Sequence, residues 1–244
     1  MKKEKSILTY FQEGFALANK SIVVYIIGLL LSIAPFIWGA LFPNSSISIF
    51  SSVLSIIVLL ITFGFYYSWP LFLKKQQHNS LDANVMLQVT MKNTKRLILP
   101  LLLLVIIFIV IFIFFVLATY ISLSGNKEQL SLFLKSMSSG GFWSVIGILL
   151  LFVIEFVTFF AVILFSIEDK GFFKSIKESV GISNKHISFV IPLVGVSVIT
   201  YLLTKAVFPG KQLWEETATS AITHYVGIIV SATTLIYYQK VIKK

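Results

Sequence analysis

Residues 7–41 read ILTYFQEGFALANKSIVVYIIGLLLSIAPFIWGAL, and the two halves of this stretch obey different rules. In the first half Ile7, Phe11, Phe15 and Asn19 recur every four residues, and Lys20 closes the segment. A period of four is one stripe of a helix, so Ile7–Lys20 predicts an amphipathic helix. From Ser21 onward the run is apolar and uncharged for about 20 residues, the length at which a helix crosses hydrocarbon. An interfacial helix feeding a membrane span is the expected arrangement.

The pattern recurs twice. Leu81, Val85, Val89 and Asn93 lead through Lys95 into a second apolar run, and Phe172, Ile176, Val180 and Asn184 lead through Lys185 into a third. Each instance stands just ahead of an odd-numbered apolar stretch. A single membrane domain of three modules, 1–73, 78–166 and 167–244, follows, through duplication or through independent selection for interfacial helices. Asn19, Asn93 and Asn184 are expected to end their helices in the left-handed conformation. Lys20, Lys95, Arg96, Lys174, Lys177 and Lys185 are expected as interfacial anchors that snorkel to lipid headgroups.

Apolar stretches of spanning length lie at about 21–42, 49–73, 97–122, 142–166, 187–208 and 218–239. With 57% hydrophobic and 12% charged residues, and a mean hydropathy of +0.93, the chain departs from soluble composition in the direction only lipid tolerates. The fold class expected is all-α: six transmembrane helices with three amphipathic helices on one face. Of the 20 Lys and Arg residues, 16 fall in the N-terminus, residues 74–96, residues 167–186 and the C-terminal tail. Lys127, Lys135, Lys205 and Lys211 are left for the other face. The positive-inside rule then makes both termini cytoplasmic, in the cell membrane.

The net charge of +10 sits at span ends, where it meets anionic headgroups, and no basic run interleaves with stacking aromatics as nucleic-acid binding requires. With no cysteine, neither a disulfide framework nor a thiolate metal site can form. The first apolar run starts near Ser21 and is too long for a signal-peptide core, so no cleaved signal is expected. A tight turn is predicted near Phe42–Ser46, around Pro43 and Asn44. A short surface helix and a flexible hinge are predicted within Ser122–Gly141, and Trp214 is expected in an outer aromatic belt with Tyr237 and Tyr238 in an inner one.

Glu155 stands out, in the middle of Phe152 Val153 Ile154 Glu155 Phe156 Val157. A charge at that depth is costly, so its carboxyl is expected to face the bundle interior and be protonated, paired or wetted. Thr62, Ser197, Thr200 and Ser231 fall at similar depth. Together they form either interhelical glue or an ion, proton or substrate site. His224 lies roughly 10 Å shallower at 1.5 Å per residue, which argues against a direct pair with Glu155 and places it near Lys205.

Catalytic patterns are weak. Glu215 and Glu216 followed by His224 invite comparison with the membrane-embedded CAAX-protease and bacteriocin-processing family, but Ser220 stands where an arginine is needed. His78, His186 and His224 lack zinc-ligand spacing, and Phe208 Pro209 Gly210 Lys211 is only superficially a phosphate-binding loop. No metal, cofactor or catalytic residue is expected, although a separate ATPase subunit could serve as partner.

The segment Phe165 Ser166 Ile167 Glu168 Asp169 Lys170 Gly171 Phe172 Phe173 Lys174 Ser175 Ile176 Lys177 Glu178 Ser179 resembles the membrane-domain family of glycerophosphodiester phosphodiesterases and its six-span bacterial relatives. That resemblance implies an α-helical cell-membrane protein without phosphodiesterase activity, since hydrolysis in such proteins belongs to a separate soluble barrel. Read from the residues, Glu168 and Asp169 would favour the positive end of the third interfacial helix. The leading functional expectation is a non-enzymatic membrane protein that handles or senses a lipid, peptide or other amphiphile, as a transport accessory or immunity-type protein. The competing class is a scaffold that recruits a partner through its interfacial helices, and the remotest is an intramembrane hydrolase.

Overall fold

The computed structural model describes residues 6–41, 49–123, 140–209 and 212–243. Among these the chain is all-helical, with no strand. The helices are α1 (Ile7–Lys20), α2 (Ile22–Leu41), α3 (Ile49–Gln77), α4 (Ala83–Leu123), α5 (Gly140–Thr158), α6 (Ala161–Ser166), α7 (Phe172–Lys185), α8 (Ile187–Val207) and α9 (Leu213–Tyr237). A π-helical turn at Tyr238–Ile242 continues α9. Among the described residues three segments are long and apolar enough to cross a membrane: Ile56–Gln77, Ile187–Val207 and Leu213–Ile242. The pair Ile7–Lys20 and Ile22–Ala34, bent by 75°, makes a fourth if it is counted as one span. Leu99, Leu102, Ile106, Phe114, Val153, Ile154, Ile199 and Leu203 all face outward. An apolar exterior of this kind belongs in lipid.

The turn expected near Phe42–Ser46 and the pair Gly210–Lys211 lie outside the described residues, as do 124–139 of the predicted surface helix and hinge. Gly140 and Gly141, expected in that hinge, instead open α5.

Two of the three expected interfacial helices stand as separate elements. Ser6 caps α1, its hydroxyl accepting from the Thr9 N–H at 3.4 Å. The chain then turns through one residue, Ser21 (φ −102°, ψ 28°), whose hydroxyl donates back to the Leu17 carbonyl at 3.0 Å. His186 (φ −117°, ψ 34°) makes the same one-residue turn between α7 and α8. The expected second interfacial helix is not separate: residues 83–123 form one continuous helix. The reason lies at Asn93, which is buried and donates to Ser68 Oγ at 2.9 Å. Its amide serves the α3 contact, so it ends nothing.

The asparagine caps are corrected throughout. Among the described residues only Asn79 and Asp169 are non-glycine residues with positive φ. Asn79 closes α3, with Asn79 N–H donating to Gln76 O and Ser80 N–H to Lys75 O, the paired bonds of a Schellman motif. Asn19 instead accepts from Tyr225 Oη at 2.7 Å, and Asn184 is exposed.

Small residues set how closely the helices approach, as expected where lipid offers no hydrophobic drive between them. A Cβ on Gly64 of α3 would fall 1.9 Å from Thr94 Oγ1 of α4. Gly14 gives α1 the same closeness to Thr233 of α9. Around these crossings Phe72, Phe160, Phe189, Val190, Ile228 and Leu235 form the fully buried core.

Charged groups gather at one end of the bundle. Arg96 donates to the carbonyls of Phe165 (3.2 Å) and Lys170 (2.6 Å), pairs with Asp169 at 2.8 Å and lies 4.0 Å over the Phe165 ring. It is therefore a clamp between α4 and the α6–α7 connection, not the lipid anchor its position suggests. Glu168 and Asp169 precede α7, which starts at Phe172 behind Gly171. They serve neighbouring cations instead of the α7 dipole: Glu168 pairs with Lys243, and Asp169 with Lys92 and Arg96. Lys240 with Glu13 joins the same end.

The hydrogen bond from Lys243, helped by the charges of Lys243 and Lys170 and opposed by partial burial, holds Glu168 below its ordinary pKa. The hydrogen bond from Lys92, with the charges of Arg96 and Lys92, does the same for Asp169. Carboxyls depressed in the folded state stabilise it above their ordinary pKa of about 4, and that contribution is lost as pH falls through the depressed values. The unfolding midpoint is therefore expected to drop below about pH 4, and to drop less in a Glu168→Gln/Asp169→Asn variant. Superimposable acid profiles for the two proteins would show that these pairs carry no stability.

Candidate functional site

Glu155 sits one turn before a break in the longest apolar stretch of the second half. The run expected to be a continuous span over 142–166 divides at Phe159–Phe160 into α5 and α6. A break at a buried position frees backbone groups that need partners. α7 supplies the partners. Ser179 Oγ accepts from Phe160 N–H at 3.0 Å, and Ser183 Oγ donates to Phe156 O at 3.3 Å.

This also corrects which face of α7 is covered. Ser175, Ser179 and Ser183, spaced by four, are buried with Phe172, whereas Ile176 and Val180 are only partly covered and Asn184 is exposed. Serines win the inner face because they are small enough to admit α7 against the break and polar enough to satisfy it. Lys174, Lys177 and Lys185 point outward from α7, and Lys20 and Lys95 are likewise exposed.

Glu155 faces inward onto a cavity of about 250 Å³, walled by α3, α5, α6, α8 and α9. Ser197 from α8 and Ser231 from α9 line the same cavity, with Tyr66, Trp69 and Phe159 as its aromatic wall. A second cavity of about 140 Å³ shares Glu155 and Ser197 and adds Thr200. Of the residues expected at this depth, Thr62 is the one not brought in: it lines neither cavity, and its hydroxyl donates to Val58 O at 2.8 Å.

The hydroxyls differ in a way that matters. Thr158 and Thr234 on the cavity wall are spent, each donating to the carbonyl four residues back. Among the described residues Glu155, Ser197, Thr200 and Ser231 make no side-chain hydrogen bond or ion pair. A carboxyl and three hydroxyls on cavity walls with no protein partner are open to bind something else.

His224 is hydrogen-bonded neither to Glu155 nor to Lys205. Its Nε2 is hydrogen-bonded to Tyr66 Oη, and its Nδ1 lies 2.7 Å from the Ser220 carbonyl. A carbonyl can only accept, so Nδ1 carries a proton, while the Tyr66 hydroxyl, which can also donate to the Gly28 carbonyl at 3.4 Å, can serve Nε2 in either role. Tyr66, Trp69, Thr223 and His224 line an open groove of about 240 Å³. Tyr66 and Trp69 thus form the partition between this groove and the Glu155 cavity.

The remaining acidic residues are committed elsewhere. Glu216 pairs with Lys205 at 3.0 Å, and Glu215 closes a capping box with Gln212 at the start of α9. Among the described residues no three His, Asp or Glu side chains gather as metal ligands. The helix break and the serine stripe were the features sequence reasoning missed. The serine spacing of four was the available signal.

Comparison with protein-family profiles, with curated proteins and with solved structures finds no match to this chain.

Proposed function

We propose that this chain is a six-span protein of the cell membrane that binds an amphiphile at a polar site centred on Glu155, as part of transporting or sensing it. Both termini and the interfacial helices lie on the cytoplasmic side, where the exposed Lys20, Lys95, Lys174, Lys177 and Lys185 meet anionic headgroups. The gathering of Arg96, Lys92, Lys240 and Lys243 at one end of the bundle supports that orientation. So does the opposite assignment of Lys205, which pairs with Glu216 at the other end of its helix. The role is non-enzymatic on this chain, and any energy input comes from a partner subunit such as an ATPase.

The observation that carries the reading is the partnerless Glu155 with unspent Ser197 and Ser231 around one cavity. A carboxyl kept only as interhelical glue would have a protein donor. The adjoining helix break supports the same reading, because discontinuous helices at membrane depth are the usual framework of a binding site.

The test is binding of fluorescent amphiphiles of varied headgroup to reconstituted protein. Glu155→Gln and Glu155→Ala are expected to abolish saturable binding, with Thr62→Val unaffected. Should the Glu155 variants bind normally while a Lys174→Gln/Lys177→Gln/Lys185→Gln variant loses membrane or partner association, the chain is a scaffold acting through α7.

A further inference from the structure

We infer that the ligand of the Glu155 cavity presents an organic ammonium group, a protonated amine or quaternary nitrogen on an apolar body. This rests on the binding role proposed above and specifies its chemistry. Two features of the cavity select a cation, and two more suit an organic one.

Charge comes first. Glu155 is the only carboxylate among the described residues that line the cavity, and no Lys, Arg or His lines it. An anion there would face an uncompensated like charge at low dielectric, whereas a cation would complete a pair.

The backbone adds to the same sign. Glu155 lies in the last turn of α5, whose C-terminal carbonyls carry the negative end of the helix dipole. Pro70, also on the cavity wall, has no N–H, so the Tyr66 carbonyl one turn earlier is without its helical donor. Both devices offer acceptors.

The side-chain hydroxyls follow suit. Ser197 and Ser231 have both lone pairs and protons uncommitted, so they can accept from an ammonium N–H or solvate a quaternary centre. The indole N–H on the wall is turned aside. Trp69 Nε1 lies toward Gly28 of α2, while the benzo edge of the indole lies beside Gly227 on the cavity.

The aromatic wall then separates an organic cation from an inorganic one. Tyr66, Trp69 and Phe159 line the cavity, with Tyr66 and Trp69 edge to face at 4.8 Å. Aromatic rings attract ammonium groups through their quadrupole and are the usual walls of such sites. A bare sodium ion would gain little from them and would leave most of the 250 Å³ empty. On the far side of the Tyr66 and Trp69 partition the outer groove is lined by these two rings with Thr223 and His224, and among the described residues no Lys or Arg lines it.

The experiment uses full-length protein in phosphatidylglycerol nanodiscs, a lipid without an amine, with empty discs subtracted. Radiolabelled hexyltrimethylammonium, hexyl sulfate and hexyl glucoside are titrated in parallel. Saturable binding of the ammonium probe is expected at least tenfold tighter than either of the others. Glu155→Gln should weaken it at least tenfold, Glu155→Asp should restore most of it, and Trp69→Leu should weaken it about threefold to tenfold. Variants are compared only where elution profile and unfolding midpoint match the parent, and Ser231→Ala gives a second, milder reading of the same site. If hexyl sulfate or hexyl glucoside binds as tightly and still depends on Glu155, the amphiphile site stands and the cation assignment falls. Displacement of the ammonium probe by equimolar sodium also overturns it, in favour of an inorganic ion. If no probe responds to any Glu155 variant, the cation assignment and the site itself both fail.

Discussion

Replacing Arg96 by alanine is expected to lower the unfolding midpoint by the equivalent of about 4 kcal/mol. Two hydrogen bonds from a charged donor are lost, to the Phe165 and Lys170 carbonyls, each worth roughly 1.5 kcal/mol or more. The ion pair with exposed Asp169 adds under about 1 kcal/mol, and stacking on Phe165 contributes the rest. Arg96→Lys should recover little, because a single ammonium cannot reach both carbonyls as the planar fork does. Lys95→Ala, one residue away and exposed, should stay within about 0.5 kcal/mol. Circular dichroism melts in detergent distinguish the two sites. Equal shifts at 95 and 96 would return Arg96 to the role of a lipid anchor.

Gly14→Ala is expected to be nearly as damaging, at about 2 to 3 kcal/mol. The added methyl would stand 2.1 Å from Thr233 Oγ1, and 2.7 and 2.8 Å from Thr233 N and Cα. A side chain can rotate away, but a helix backbone cannot, so α1 must lift from α9 along its length. For that reason Thr233→Ala should not rescue Gly14→Ala. Gly181→Ala is the matched control: on α7 its methyl meets nothing within 4 Å, and the change should be neutral or stabilising by up to about 1 kcal/mol. Similar melts for the two alanine variants would mean that α1 is not seated as described.

How much of this was legible in sequence depends on which physical term governs each feature. Helix α1 and helix α7 have the bounds their stripes and closing lysines imply, because amphipathicity is a local property of the chain. Asn93 looks the same as Asn19 and Asn184 in that pattern, yet Ser68, 25 residues away, decides its role. No local rule carries that information. The break at Phe159–Phe160 was invisible for a related reason: hydropathy counts apolar residues and cannot see that Phe160 N–H finds a hydroxyl on another helix. Ser197, Thr200 and Ser231, grouped with Glu155 by counting residues along their helices, do share cavities with it. It could not tell a free hydroxyl from one bonded to its own helix, which is what separates Ser231 from Thr62.

The seating of α1 against α9 also sets a timetable. Tyr225 reaches Asn19 across 206 residues of sequence, and the atoms nearest to a Cβ on Gly14 all belong to Thr233. At ribosomal rates of about 5 to 20 residues per second, the first helix waits roughly 10 to 40 s before its seat has been synthesised. During that interval α1 has only its lesser packing against α3. A ribosome stalled before α9 would leave Gly14 without the helix that covers it.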